Sequence, residues 1–383
     1  MTFPIHFSPA DIAALERFSE GPGFGCTSLT YLDANGNAYH GRTMELGQDF
    51  PYQLVYLPAG QTLQSVINNT PSLTYTTQYA MFVVTMPDRI PTAESPITAA
   101  DMKVLEGINE VGLSFNLNAY PSVGGAQKQI DLTQAVLSVV DLGSWALGSF
   151  ETVAAVKAAL AEQPVVLTSL DILKGAAAPF HYLLSDRTGA SIVVEFDQGT
   201  MTVYDNPVGV MTNGPRFDWH LTNLNNYTYL SNIDQSTNTF GSLTVHQPDS
   251  GIATVGLPSS STSVGRFVRA VYYTQYTEKA TDPDAAVLAL AHIMNTFDRP
   301  KGATTDPRTD GGEGGVLSEG DTEYTPWTIL SDLGRARVFL RTYNGLNYTL
   351  FDLKQMAQTK AIKVMPLAHL DGLAPDATAT LLQ

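Results

Sequence analysis

Two runs rich in β-branched and aromatic residues, Thr27 to Leu32 and Ala38 to Met44, flank the polar stretch Asp33-Ala34-Asn35-Gly36-Asn37. Asn-Gly between such runs is a hairpin signal, so the pattern predicts two paired antiparallel strands. Further apolar runs predict strands at Tyr52 to Leu57 and Ala80 to Thr85, and the stretch from Gly107 to Asn118 reads as a turn leading into another. His181 to Ser185, Ile192 to Phe196 and Met201 to Tyr204 form a meander whose first turn is Asp186-Arg187-Thr188-Gly189, and Val208 to Thr212 makes a strand that stops at Asn213. Pro326 to Ser331, Ala336 to Thr342 and Tyr348 to Leu353 close the chain as three more strands.

Helical patterning is confined to a few places. Ser8 caps a short helix with Pro9 at its first position and Ile12, Leu15 and Phe18 as its apolar stripe, and Gly21-Pro22-Gly23-Phe24-Gly25 breaks it. Leu132 to Trp145 and Phe150 to Ala161 predict consecutive helices, with Asp131 or Thr133 capping the first. Two more are predicted near Val264 to Tyr276 and Asp282 to Asn295. Residues 222–263 are polar and suit a long surface excursion with little regular structure. Residues 301–320 hold Asp310-Gly311-Gly312-Glu313-Gly314-Gly315, which lacks a phosphate-binding lysine and reads as a mobile loop. Strands, helices, strands, helices and strands in that order, joined by hairpins, predict an α+β fold of antiparallel sheets with helices layered on them.

Composition narrows the class. Of the 383 residues 44% are hydrophobic, enough for a large core, and the formal net charge of -16 argues against nucleic acid and anionic membranes as partners. No apolar run reaches the roughly 18 residues of a membrane span. The first 25 residues show neither a basic start nor an apolar run of about 7–15, so the chain as given reads as cytoplasmic, or as periplasmic or secreted if a natural signal was replaced. The histidines show no metal spacing, and no metal or cofactor is expected.

The candidate chemistry sits at the first hairpin. Cys26 is the only cysteine, which excludes an intramolecular disulfide and a four-cysteine zinc site. A lone cysteine is most simply a small buried hydrophobe. The hairpin, however, folds Arg42 and Glu45 back toward it, so a thiol, a guanidinium and a carboxylate are expected to share one small volume, with Arg42 favouring the thiolate.

Gly25-Cys26-Thr27, the hairpin and Gly41-Arg42-Thr43-Met44-Glu45 resemble the start of the choloylglycine hydrolase and penicillin V acylase family, which usually has Asp in place of Glu45. Three later stretches extend the resemblance: Thr212-Asn213-Gly214-Pro215-Arg216-Phe217-Asp218-Trp219-His220; Gly256-Leu257-Pro258 with Gly265-Arg266-Phe267; and Asn109-Glu110-Val111-Gly112-Leu113 with Leu117-Asn118. The resemblance implies the four-layer αββα sandwich of N-terminal-nucleophile hydrolases. It implies residues 1–25 as a leader and 26–383 as one catalytic domain, with Cys26 exposed by autocatalytic cleavage of the Gly25–Cys26 bond. It further implies Cys26 as nucleophile, its own α-amino group as base, Glu45 orienting that amine, Arg42 holding the thiolate, Asn213 and Asn118 donating to the oxyanion, and Arg266 steadying the site. Asn116, Asn118 and Ala119 compete for the second oxyanion position, and Asn118 is chosen because Leu117 precedes it. The implied substrate is a small linear non-peptide amide with an apolar acyl group, and a dimer or tetramer is the implied assembly. An acyl-homoserine lactone acylase and an unprocessed, non-catalytic binding protein are the alternatives on the same fold. His220 is the rival base, which would make a papain-like enzyme that is active with its leader attached.

Overall fold

The Asn-Gly break makes the tight turn that the pattern predicts, and the two strands it joins anchor one of two large sheets. The structure, a computed structural model, describes residues 4–19, 24–65, 67, 72–120, 135–305 and 322–375. In chain order the main elements are helix α1 (Pro9–Phe18), strands β1 (Phe24–Leu32), β2 (Ala38–Leu46), β3 (Gln53–Leu57), β4 (Met81–Pro87), β5 (Met102–Asn109) and β6 (Leu113–Ala119), then helices α2 (Leu142–Ser149) and α3 (Val153–Glu162). Strands β7 (Phe180–Asp186), β8 (Ser191–Asp197), β9 (Thr200–Asp205) and β10 (Val210–Met211) follow, then helices α4 (Phe217–Asn223), α5 (Ser263–Tyr276) and α6 (Pro283–Asn295). Strands β11 (Tyr324–Asp332), β12 (Arg337–Thr342), β13 (Thr349–Asp352) and β14 (Lys363–Pro366) come last.

One sheet runs β10-β1-β2-β11-β12-β13 and the other β9-β8-β7-β6-β5-β4-β3-β14, both antiparallel. Helices α5 and α6 pack on the first sheet, and α2 and α3 on the second. The sheets face each other where β1 meets β6, giving the α+β, four-layer αββα order. Side chains alternate faces along a strand. Leu29 and Tyr31 of β1 therefore join Phe267, Leu290 and Met294 in the helix-facing core, each buried side chain contributing about 1.5–3 kcal/mol. Gly41 allows that packing, since a Cβ there would lie 2.8 Å from Met294. Cys26 and Met44 belong instead to the larger core.

Helix α1 forms where Ser8 and Pro9 predict it, with a capping box between Ser8 and Asp11. Leu15 and Phe18 are buried, and Phe18 meets Phe50 edge-on at 4.6 Å. The first of the two consecutive helices starts later than expected: Leu137–Ser138 pairs as a short strand with Val165–Val166, and α2 begins only at Leu142. The apolar run Val136-Leu137-Ser138-Val139-Val140 is rich in β-branched residues, which favour extended backbone over helix. Asp131 and Thr133, the expected caps, lie outside the described residues, as do Gly21 to Gly23 and the Gly-rich run at 310–315. The stretch from Gly107 to Asn118 holds the end of β5, a turn at residues 110–112 and most of β6, so the expected turn closes a full β5–β6 hairpin, and the surface excursion carries an exposed hairpin of its own, Thr237–Phe240 with Leu243–His246. Among the described residues no helix is long and apolar enough to cross a membrane.

Candidate active site

The β1–β2 register pairs Cys26 with Met44, Ser28 with Arg42 and Gly25 with Glu45. Cys26, Ser28, Arg42 and Met44 thus share the face turned toward the second sheet. Glu45, three residues from Arg42, shares the opposite face with Gly41 and Thr43. The hairpin therefore splits the expected cluster: Arg42 flanks the thiol, whereas Glu45 lies beside Gly25 across the sheet. A Cβ built on Gly25 would sit 3.1 Å from Glu323 and 3.2 Å from the Glu45 Cβ.

Arg42 is fully buried and donates from Nη2 to the Cys26 Sγ at 3.3 Å and to the Leu117 carbonyl at 2.7 Å, and from Nη1 to the Leu105 carbonyl at 3.1 Å. Its guanidinium lies 5.0 Å over the Trp327 ring, and the Glu106 carboxyl stands 3.9 Å behind it. Carbonyls and a ring face replace the water that a buried cation loses. Burial pushes the Cys26 thiol up from its ordinary value and outweighs the opposing pull of Arg42, so the expected thiolate-favouring effect is present but does not prevail. Burial also pushes the Glu45 carboxyl up, with Arg299 and Arg266 opposing it.

On the other flank, β10 pairs Met211 with Ser28, so Asn213 falls opposite Cys26 two residues further along each strand. The Cys26 backbone N–H donates to Asn213 Oδ1 at 2.9 Å, and Arg266 Nη2 donates to the same oxygen at 2.6 Å. Arg266 also donates to the Cys26 carbonyl and, at 2.9 Å, to Thr27 Oγ1. It reaches the site from the first turns of α5, whose N-cap Thr262 accepts from the Gly265 N–H. Five of the six expected residues, Cys26, Arg42, Glu45, Asn213 and Arg266, thus gather around the backbone of β1.

Asn118 is buried nearby, but its amide is committed elsewhere. Its Nδ2 donates to the Thr212 carbonyl at 2.7 Å and the Met211 carbonyl at 3.3 Å, and its Oδ1 accepts from Ser28 at 3.2 Å and from Asn116 at 3.0 Å. Its side chain therefore does not face the cavity as an oxyanion donor should. Ala119 lines the cavity instead, and its carbonyl accepts from Asn213 Nδ2 at 2.8 Å. The Tyr120 N–H bonds to Pro179 across the β6–β7 ladder. Alternation along an antiparallel pair then turns the Ala119 N–H away from β7, on the side where pairing with β5 reaches only Asn116.

His220 is not placed as a base. Its Nε2 faces the Asn213 carbonyl at 3.0 Å, its ring stacks on Phe267 at 4.5 Å, and burial pushes its pKa down to about 4. A cavity of about 520 Å³ opens at Gly25, walled by Tyr120, Asn213, the run Ser260 to Ser263, Arg299 and Glu323. Arg299 pairs with Glu323. Neither of these two was expected as part of the site, and nor was Ser263, which accepts the Asn213 N–H at 3.0 Å.

A family model described as "Linear amide C-N hydrolases, choloylglycine hydrolase family" matches residues 26–359, beginning on Cys26 itself. The chain belongs to this family and is an amide hydrolase. A conjugated bile acid hydrolase of Lactobacillus acidophilus is 29% identical over 334 residues, covering 85% of this chain and 97% of that protein. A penicillin V acylase of Pectobacterium atrosepticum is 27% identical over 259 residues, covering 65% of this chain and 60% of that protein. The crystal structure of a mutant conjugated bile acid hydrolase from Clostridium perfringens superposes with a TM-score of 0.75 at 24% identity, covering 92% of this chain and 99% of that one, and shows the shared N-terminal-nucleophile hydrolase fold. These relatives do not favour a lactone acylase or a non-catalytic binding protein.

Proposed function

We propose that the enzyme cleaves its own Gly25–Cys26 bond, so that residues 1–25 are a leader and 26–383 the catalytic domain. It then hydrolyses small linear amides with an apolar acyl group, such as conjugated bile acids or phenoxyacetyl amides. The observation that carries this reading is the register that sets Asn213 opposite Cys26, with its Oδ1 2.9 Å from the Cys26 nitrogen.

In the intact chain that nitrogen is an amide, which has no basic lone pair. Once the bond is cut it becomes an α-amine, with an ordinary pKa of about 7.7–8.0, suited to moving a proton near neutrality. The amine takes the thiol proton as Sγ attacks the substrate carbonyl, and Arg42 stabilises the developing thiolate. Asn213 Nδ2 and the Ala119 N–H hold the oxyanion, in place of the Asn118 side chain. The C–N bond then breaks, and the departing amine takes its proton from the α-ammonium. Water attacks the thioester to release the acid and restore the thiol. Glu45 and Arg266 flank the new N-terminus as its counter-charge and as the group that holds the Cys26 carbonyl. Polar side chains make up most of the described cavity wall, with Ala119 and Tyr120 set among them, and it is the relatives that point to an apolar acyl group.

The test is intact mass together with turnover. A chain starting at Cys26 that releases amine from a glycine-conjugated bile amide or from penicillin V supports the reading. A fully active protein that keeps residues 1–25 sinks it and restores the papain-like alternative. A pH dependence follows from the raised thiol pKa. The thiolate is scarce at neutral pH and rises about tenfold per unit below the thiol pKa, so self-cleavage should accelerate with pH in proportion. Mass time courses between about pH 6 and 8 check this; a flat profile would remove thiolate formation from the slow step.

A further inference from the structure

Strand β10 ends at Met211, so the next two peptides lie beyond the ladder and their polar groups are met by side chains. The Thr212 carbonyl accepts from His181 Nε2 at 3.0 Å and from Asn118 Nδ2 at 2.7 Å. His220 Nε2 meets the Asn213 carbonyl at 3.0 Å, and Ser263 takes the Asn213 N–H at 3.0 Å. Four elements, β7, β6, α4 and α5, thus converge on one short stretch of backbone.

The His181 ring is itself fixed. A carbonyl only accepts, so Nε2 carries a proton, and Nδ1 faces Glu195 Oε1 at 2.9 Å. Glu195 also accepts the Phe217 N–H at 3.0 Å. His181 and Glu195 are both buried, and the Tyr120 ring, which lines the cavity, stacks on His181 at 5.0 Å. With an oxygen on each nitrogen the tilt of the ring is fixed from both sides, and Nε2–H is held as a donor aimed at the Thr212 carbonyl.

We infer that His181, held by Glu195, and Asn118 are positioning residues that fix the Thr212–Asn213 peptide and thereby aim the Asn213 amide for hydrolysis. They touch neither the thiol nor the substrate. They act through Asn213, whose amide must be held to about 10–20° for efficient use. The inference rests on the proposed role of Asn213 in amide hydrolysis. Asn118, expected as an oxyanion donor, acts here on the backbone that carries one.

The experiment compares the parent with His181→Phe, which keeps the stack on Tyr120 but loses both hydrogen bonds, with Glu195→Leu and Glu195→Gln, and with Asn118→Leu. Turnover of penicillin V and of a glycine-conjugated bile amide is measured beside hydrogen exchange of the peptide spanning residues 210–216. His181→Phe should lose about 10–100-fold in kcat with KM within about threefold, because geometry rather than ground-state binding is lost. The Asn213 amide should exchange at least about tenfold faster. Glu195→Gln keeps an acceptor for Phe217 and a partner for Nδ1, so it should recover most of what Glu195→Leu loses. Asn118→Leu should lose about 3–10-fold in kcat, since one donor to Thr212 remains. If His181→Phe fails to fold, the Glu195 variants and Asn118→Leu decide. Unchanged kcat and unchanged exchange overturn the inference, and so does equal loss in Glu195→Gln and Glu195→Leu. A parent that hydrolyses neither probe, with faster exchange in the variants, refutes the proposed substrate class and supports the clamp.

Discussion

Cys26→Ala is expected to retain residues 1–25 in full and to lose turnover by on the order of 10⁶-fold, the scale seen when a hydrolase loses its nucleophile. Two functions fall together because one thiol is proposed for both, first on the Gly25 carbonyl and then on substrate. Folding should survive. Cys26 is a small buried residue between Met44 and Arg42, and alanine vacates only the volume of one sulfur. The readouts are intact mass and kcat/KM on the two amide probes. A Cys26→Ala chain still trimmed before residue 26 would assign cleavage to an outside protease. Appreciable turnover would place the nucleophile elsewhere.

Asn213→Ala should lose about 10²–10³-fold in kcat, the usual cost of removing one oxyanion donor. Its amide also links the Cys26 N–H, Arg266 and the Ala119 carbonyl, so self-cleavage should slow as well. His220→Ala provides the contrast. That ring meets the carbonyl of Asn213, stacks on Phe267 and packs edge-on against Trp219, so its loss should cost less than about tenfold, whereas loss of a general base costs about 10²–10⁴. Measuring both variants, with circular dichroism to confirm folding, separates the roles. A larger loss in His220→Ala than in Asn213→Ala would reverse the assignment.

Where the sequence specifies local geometry strongly, it can be read. Asn35-Gly36 sets the turn, and the turn sets the register that brings Arg42 to the thiol. Ser8 and Pro9 define α1, and the register of β10, which ends two residues before Asn213, aligns that residue with Cys26. The separation of Arg42 and Glu45 onto opposite faces follows from the two-residue period of a strand, and the spacing of three between them already implies it. His181 and Glu195 belong to no motif. Yet the turn at Asp186 to Gly189 is legible, and counting outward through Tyr182 opposite Val194 sets the two residues across from each other. The Asn118 amide turns to the Met211 and Thr212 carbonyls instead of the cavity, because a match resting on the preceding Leu117 says nothing of where a side chain points. Arg299 and Glu323 meet at the cavity through contacts between separate loops, which no local pattern encodes.

The docking of α1 bears on what self-cleavage can release. Phe7, Leu15 and Phe18 are buried in the main core, and the Ile5 N–H bonds to the Ile97 carbonyl at 2.7 Å. Three such side chains hold on by several kcal/mol at about 1.5–3 each. The proposed scission would therefore convert a covalent tether into a binding equilibrium, and the mature enzyme would emerge as a nicked complex of a short chain and a long one. A denaturing mass spectrum would read two species where a native one reads a single assembly, and an affinity tag on residue 1 would still capture the severed catalytic chain.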